Sequence, residues 1–104
     1  MKYLLLSLLL AVSMVGYAND KANLWDSVIK ARNYLINNDY RNAEAIVDSI
    51  ERPCSECNND SIRVVFLECK AQILIFDKKD YNKPIPILKD VIELYERLNI
   101  KSIN

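Results

Sequence analysis

Apolar residues along the chain recur mostly with the period of a helix. Leu24, Val28, Ala31 and Leu35 fall at i, i+4, i+7 and i+11, one face of a first helix. Asn23 stands where an N-cap is wanted, with acidic Asp26 three residues on. The run stops at Asn37-Asn38-Asp39, a turn cluster. Asp39 is placed to cap a second helix from Tyr40 to about Ile50, with Ala43, Ile46, Val47 and Ile50 inward and Pro53 as its stop. Residues 53–60 have no apolar period and read as a loop. Asp60 or Ser61 then opens a third helix to about Phe76. Its apolar residues lie almost all round, which predicts a central, buried helix. β-branched residues make a strand the rival over 62–67, but the length of the run and polar Glu68, Lys70 and Gln72 favour helix. After the turn Asp77-Lys78-Lys79-Asp80, Pro84 and Pro86 sit where a first helical turn tolerates proline. A fourth helix is expected from near Lys83 to near Asn99. The pattern predicts an all-α fold of four helices.

The first eighteen residues stand apart. Lys2 precedes a leucine-rich stretch, Leu4 to Val12, and Gly16-Tyr17-Ala18 supplies small residues for a cleavage site. That is the layout of a secretory signal peptide. The apolar run is shorter than the ~20 residues a membrane-spanning helix needs. The expectation is therefore a signal peptide over 1–18, a helical domain over 19–104, an exported protein, periplasmic or secreted, and no membrane span after cleavage. Abundant Asn, Ile and Lys carry an association with AT-rich, bacterial genomes.

Composition then narrows the chemistry. The 104 residues carry 14 basic and 14 acidic side chains, so no electrostatic drive toward nucleic acid is expected. There is no His and a single Gly, Gly16. His-based catalysis, His metal sites and glycine-rich phosphate cradles are excluded. No catalytic residues, no metal and no cofactor are expected, and the chain is read as a non-enzyme.

An internal repeat is visible. Asp39-Tyr40 and Asp80-Tyr81 are 41 residues apart, each between an apolar helix end and a second amphipathic helix. Helix pairs recurring at such periods signal an α-solenoid. Ala31, Tyr34, Tyr40 and Ala43, followed by Val47 and Ile50, resemble the tetratricopeptide (TPR) repeat. The resemblance implies two antiparallel helix hairpins in an α-α superhelix, repeat one about 24–53 and repeat two about 61–99. The second repeat departs from the motif: Gln72 and Ile75 fall at the small and aromatic positions, and Pro84 replaces a small residue. A plain four-helix up-down bundle is the alternative fold.

In TPR-like proteins the first helix of each pair lines a concave binding face. The resemblance thus implies that Trp25, Val28, Arg32 and Leu35 face a partner from repeat one, and Phe66, Cys69, Ile73 and Phe76 from repeat two. The expected partner is a peptide or protein segment, with Arg32 to meet a carboxylate or carbonyl. The apolar residues are equally readable as core. The fourth helix carries more apolar surface than one neighbour covers, with Ile92, Tyr95 and Ile103 expected toward solvent. This predicts a homodimer or docking onto a larger partner.

Cys54-x-x-Cys57, with Cys69, offers a disulfide or a small thiol-disulfide protein as a second reading. Zinc is one ligand short. Glu56 inside the motif is expected to raise the thiol pKa. A third reading is the N-terminal piece of a longer helical solenoid.

Overall fold

A computed structural model describes residues 23–103, and the signal-peptide expectation over 1–18 lies outside them. The described residues form an all-α fold with four helices and no strand. They are α1 (23–36), α2 (Tyr40–Glu56), α3 (Asp60–Gln72), which runs on into a π-helical turn (Ile73–Asp77), and α4 (Pro84–Ile103).

The α1–α2 turn follows from local chemistry. Asn38 adopts a left-handed φ of 60°, which asparagine tolerates better than most residues. The amide of Asn38 donates to the Leu35 carbonyl at 3.0 Å and that of Asp39 to the Tyr34 carbonyl at 2.8 Å. These are the two closing bonds of a Schellman C-cap. Asp39 then caps α2, its carboxylate accepting from the Asn42 amide at 3.3 Å.

The same device recurs 41 residues later. Lys79 has φ 56°, and Asp80 accepts from the Asn82 and Lys83 amides at 3.0 and 3.1 Å. Those two amides, chiefly Lys83, hold the Asp80 carboxyl below its ordinary pKa. Here the outer closing bond is one residue wider, Asp80 donating to the Leu74 carbonyl, and Lys78 donates to that of Ile73 across the π turn. The π turn is thus a one-residue insertion at the end of α3.

Four expectations are corrected. Pro53 does not end α2; it lies inside the helix, which continues to Glu56. The ring removes one backbone bond near the helix end, and the added turn buries Cys54 in the core. The loop expected over 53–60 shrinks to residues 57–59. The cap of α3 is Asn59, whose side-chain oxygen accepts from the Ile62 amide at 3.1 Å, so Asp60 falls in the first turn, where its charge suits the helix dipole. α4 also runs beyond Asn99, to Ile103.

Helix α3 is central, as its all-round apolar character predicts. Ile62, Phe66, Cys69 and Ile73 join Val28, Ala31, Leu35, Ala43, Val47, Ile50 and Cys54 in the main core. Val64, on the other side of α3, packs with Val91 and Leu94 of α4. Ala31, Ala43 and Ala71 are fully buried, and small residues permit close helix approach. Ion pairs stitch the outside: Lys70–Glu51 and Lys78–Glu44 (2.9 Å) tie the third helical segment to α2, and Arg97–Asp60 (3.6 Å) ties α4 to α3. Ion pairs at the surface are weak beside apolar burial, so the core carries the fold.

Candidate binding groove

The groove is built from three helices. Arg32 comes from α1, Val65, Glu68, Cys69 and Gln72 from α3, and Tyr95 from α4; together they line a cavity of about 80 Å³. Its floor is the core residue Cys69, and its rim is polar. The Tyr95 hydroxyl donates to the Glu68 carboxylate and closes one side of the groove. That bond, with a smaller contribution from burial, raises the Tyr95 pKa. Arg32 is exposed and makes no ion pair among the described residues, yet its charge lowers the pKa of both Tyr95 and Cys69, so it faces them. Gln72 is exposed on the opposite wall. The groove therefore presents one guanidinium, one amide and a tyrosine–carboxylate pair above an apolar floor. It can hold a small polar group carried on an extended segment.

The structure separates the partner-facing residues expected from the sequence. Trp25 is 41% exposed and Arg32 is exposed. Val28, Leu35, Phe66 and Ile73 are buried together in the main core and present nothing to a partner. The cause in the second hairpin is the central place of α3, which packs into the main core on one side and against α4 on the other. The π turn adds one residue, so α3 positions before it stand 40, not 41, after their α1 counterparts. One residue on a helix is a rotation of about 100°. At that offset Ala31 pairs with buried Ala71 and Arg32 with groove-lining Gln72, while buried Phe66 and Ile73 align with exposed Asp26 and Asn33. In the first hairpin Val28 and Leu35 lie on the same stripe as buried Ala31, the face turned into α2 and α3. Glu68, Gln72 and Tyr95 were missed as groove residues. Glu68 and Gln72 were nonetheless marked, as polar breaks in an otherwise apolar helix.

The cysteines are three free thiols. Burial pushes the Cys54 thiol up to about 11, with further increments from Cys57 and Cys69 nearby. Burial also pushes Cys69 up to about 11; Glu68 adds to this and Arg32 opposes it. Glu56, expected to raise the motif's thiol pKa, is instead paired with Arg52 at 3.3 Å on the exposed side of α2. Cys57 is partly buried and accepts from the Asn59 amide at 3.3 Å. At neutral pH Cys54 and Cys69 are protonated, the unreactive form of a thiol. No group of three or more Cys, Asp or Glu among the described residues is disposed to hold a metal ion, and no described helix is long and apolar enough to cross a membrane.

Comparisons of the chain with family models, with curated proteins and with solved structures found no match in any of the three.

Proposed function

We propose that the chain is an exported, TPR-like interaction module that binds a peptide or protein segment in the groove between α1 and α3. The observation that carries this reading is Arg32. An exposed guanidinium without an ion-pair partner, beside Gln72 and above an apolar floor, is a ready donor for a carboxylate or a backbone carbonyl. Trp25 and Ile36, exposed on the same side of α1 at helical spacing from Arg32, add apolar contact for the segment's side chains. The TPR-like reading is supported by two helix hairpins with matching turns and by small or compact buried residues at corresponding positions: Ala31 with Ala71, and Ala43 with Pro84. A thiol-disulfide enzyme is disfavoured by burial and high pKa at Cys54 and Cys69. Export is supported by the layout of residues 1–18.

Panning a displayed random-peptide library on the purified protein tests the reading. Selected peptides are expected to share an acidic or terminal carboxylate and to lose binding to Arg32→Glu, while Asp48→Lys, exposed on α2, leaves binding intact. Failure to enrich any peptide, or enrichment insensitive to Arg32→Glu, overturns it. The export component is checked separately by N-terminal sequencing of the native protein, which is expected to begin at Asn19.

A further inference from the structure

The last turn of α2 is weakly held and carries two thiols. Pro53 has no amide to give the Ser49 carbonyl one turn back. The Cys57 amide, at the C-cap, reaches the Cys54 carbonyl at 3.4 Å. At Cys57 the backbone turns extended, with ψ 136°, and only residues 57–59 join α2 to α3. Cys54 is 1% exposed in the main core, and half-buried Cys57 packs against that same core. Residues three apart on a helix share a face. Their Cα atoms are about 5 Å apart, inside the roughly 4.4–6.8 Å that a disulfide spans. Their Cβ atoms must close by about 1–2 Å, a shift that a residue at the C-cap can absorb. Cys69 is out of reach of both. It stands nine residues into α3, about 13 Å along the axis from the turn that holds Cys57. Cys54 is one turn up α2, which still leaves about 9 Å along the axis in addition to the spacing between packed helices.

We infer that Cys54 and Cys57 close a disulfide under oxidising conditions, and that this bond staples the helical turn that Pro53 loosens. The oxidant is a small external disulfide of the glutathione kind. Cys57 is the sulfur within its reach. The Cys57 thiolate attacks one sulfur of the oxidant, forms a mixed disulfide and expels one thiolate. Cys54, having given up its proton, then attacks the Cys57 sulfur and expels the second. Two protein thiols are oxidised, one external disulfide is reduced, and the two protons end on the released thiols. Burial keeps the Cys54 thiol protonated at neutral pH, so the second step takes place while the chain folds or while the last turn is open. Cys69, 3% exposed in the core, stays reduced. Closure depends neither on the groove nor on export, because the test supplies the oxidant.

Refolding the reduced, denatured protein in mixtures of reduced and oxidised glutathione, followed by alkylation in denaturant, trypsin and mass spectrometry, tests the pairing. Trypsin leaves Cys54 and Cys57 on one peptide, 42–63, because the Arg52–Pro53 bond resists it, and Cys69 on another, 64–70. The oxidised product is expected to carry peptide 42–63 unalkylated and two hydrogens lighter, and peptide 64–70 alkylated at Cys69. Three alkylated thiols in mostly oxidised glutathione, glutathione left on Cys57, or a link between the two peptides each overturns the pairing. Thermal melts by far-UV circular dichroism test the staple. The oxidised wild type should melt several degrees above the reduced one, and Cys57→Ser should melt alike from both mixtures. Pro53→Ala regains the missing bond, so oxidation should raise its midpoint less. A wild-type midpoint that oxidation leaves unchanged or lowers overturns the staple. So does a rise that persists in Cys57→Ser, or one as large in Pro53→Ala as in the wild type.

Discussion

Replacing Ala43 with tryptophan probes the first hairpin at its tightest point. Ala43 is fully buried on α2, in the same cluster as fully buried Ala31 and Val28 of α1. Alanines in that cluster permit close helix approach, and an indole cannot enter without separating α1 from α2. Overpacking costs about 1–3 kcal/mol for a few added methylenes, and tryptophan adds far more volume, so a loss of ~3 kcal/mol or more is expected. Ala45 supplies the control. It lies on the same helix and is exposed, so Ala45→Trp loses only helix propensity, about 0.5 kcal/mol. A domain of this size shifts its melting point by ~4–8 °C per kcal/mol. The two variants should therefore melt at least about 10 °C apart by far-UV circular dichroism. Coincident midpoints would refute the assignment of Ala43 to the α1–α2 contact, and with it the inward face of α2.

Raising the pH tests the buried thiols. Cys54 and Cys69 ionise at 9.0 when unperturbed and at about 11 in the fold, so between those values the folded chain keeps protons that the unfolded chain has lost. Stability is therefore full below pH 9 and falls as pH rises toward 11; a melting temperature that climbs over that window contradicts the burial of these groups. Pro53→Ala restores an amide donor to the last turns of α2 at an exposed position, and should stabilise by ~1 kcal/mol or more in a denaturant titration. Asp39→Ala removes the cap of α2 and should cost about 0.5–2 kcal/mol, and Asp80→Ala, which frees the Asn82 and Lys83 amides in the turn before α4, should lower the melting temperature. The double variant should show the sum of the two losses, since the two carboxylates share no partner.

The sequence shows most of the fold and little of the groove. Turns were legible because Asp39 and Asp80 each follow a polar cluster and accept from an amide three residues on, and α3 because apolar residues on all sides demand neighbours on all sides. Pro53 misled because a proline near a helix end loses only one bond, a loss that burying Cys54 offsets. Within the groove, Arg32 was legible as a charged residue on an otherwise apolar line. Val28, Leu35, Phe66 and Ile73 were not separable from core by type, since an apolar residue serves either purpose. Only the contacts among the three helices decide which.

The π turn explains why the second repeat looks degenerate. Read at a constant offset of 41, the small position of α3 is Gln72 and the aromatic position Ile75, a poor copy of Ala31 and Tyr34. The bonding of the two turns gives another alignment. Asp39 closes on Tyr34, five residues back; Asp80 closes on Leu74, six residues back. The extra residue lies within Ile73–Asp77, so everything before it aligns at 40 and everything after it at 41. At an offset of 40, Ala71 stands for Ala31 and Leu74 for Tyr34, and both alanines are fully buried. A helix that absorbs one residue as a π turn keeps its caps and its core and rotates the preceding face by about 100°. At that offset Gln72 stands opposite Arg32 on the groove wall, whereas Phe66 and Ile73 align with exposed Asp26 and Asn33 and are buried because α3 has neighbours on both sides. The place of Gln72 in the groove thus follows from where the insertion fell. Deleting a single residue from Ile73–Asp77 would restore a constant offset but turn Gln72 off the wall and bring core residues toward solvent, so the insertion and the polarity of the groove are coupled.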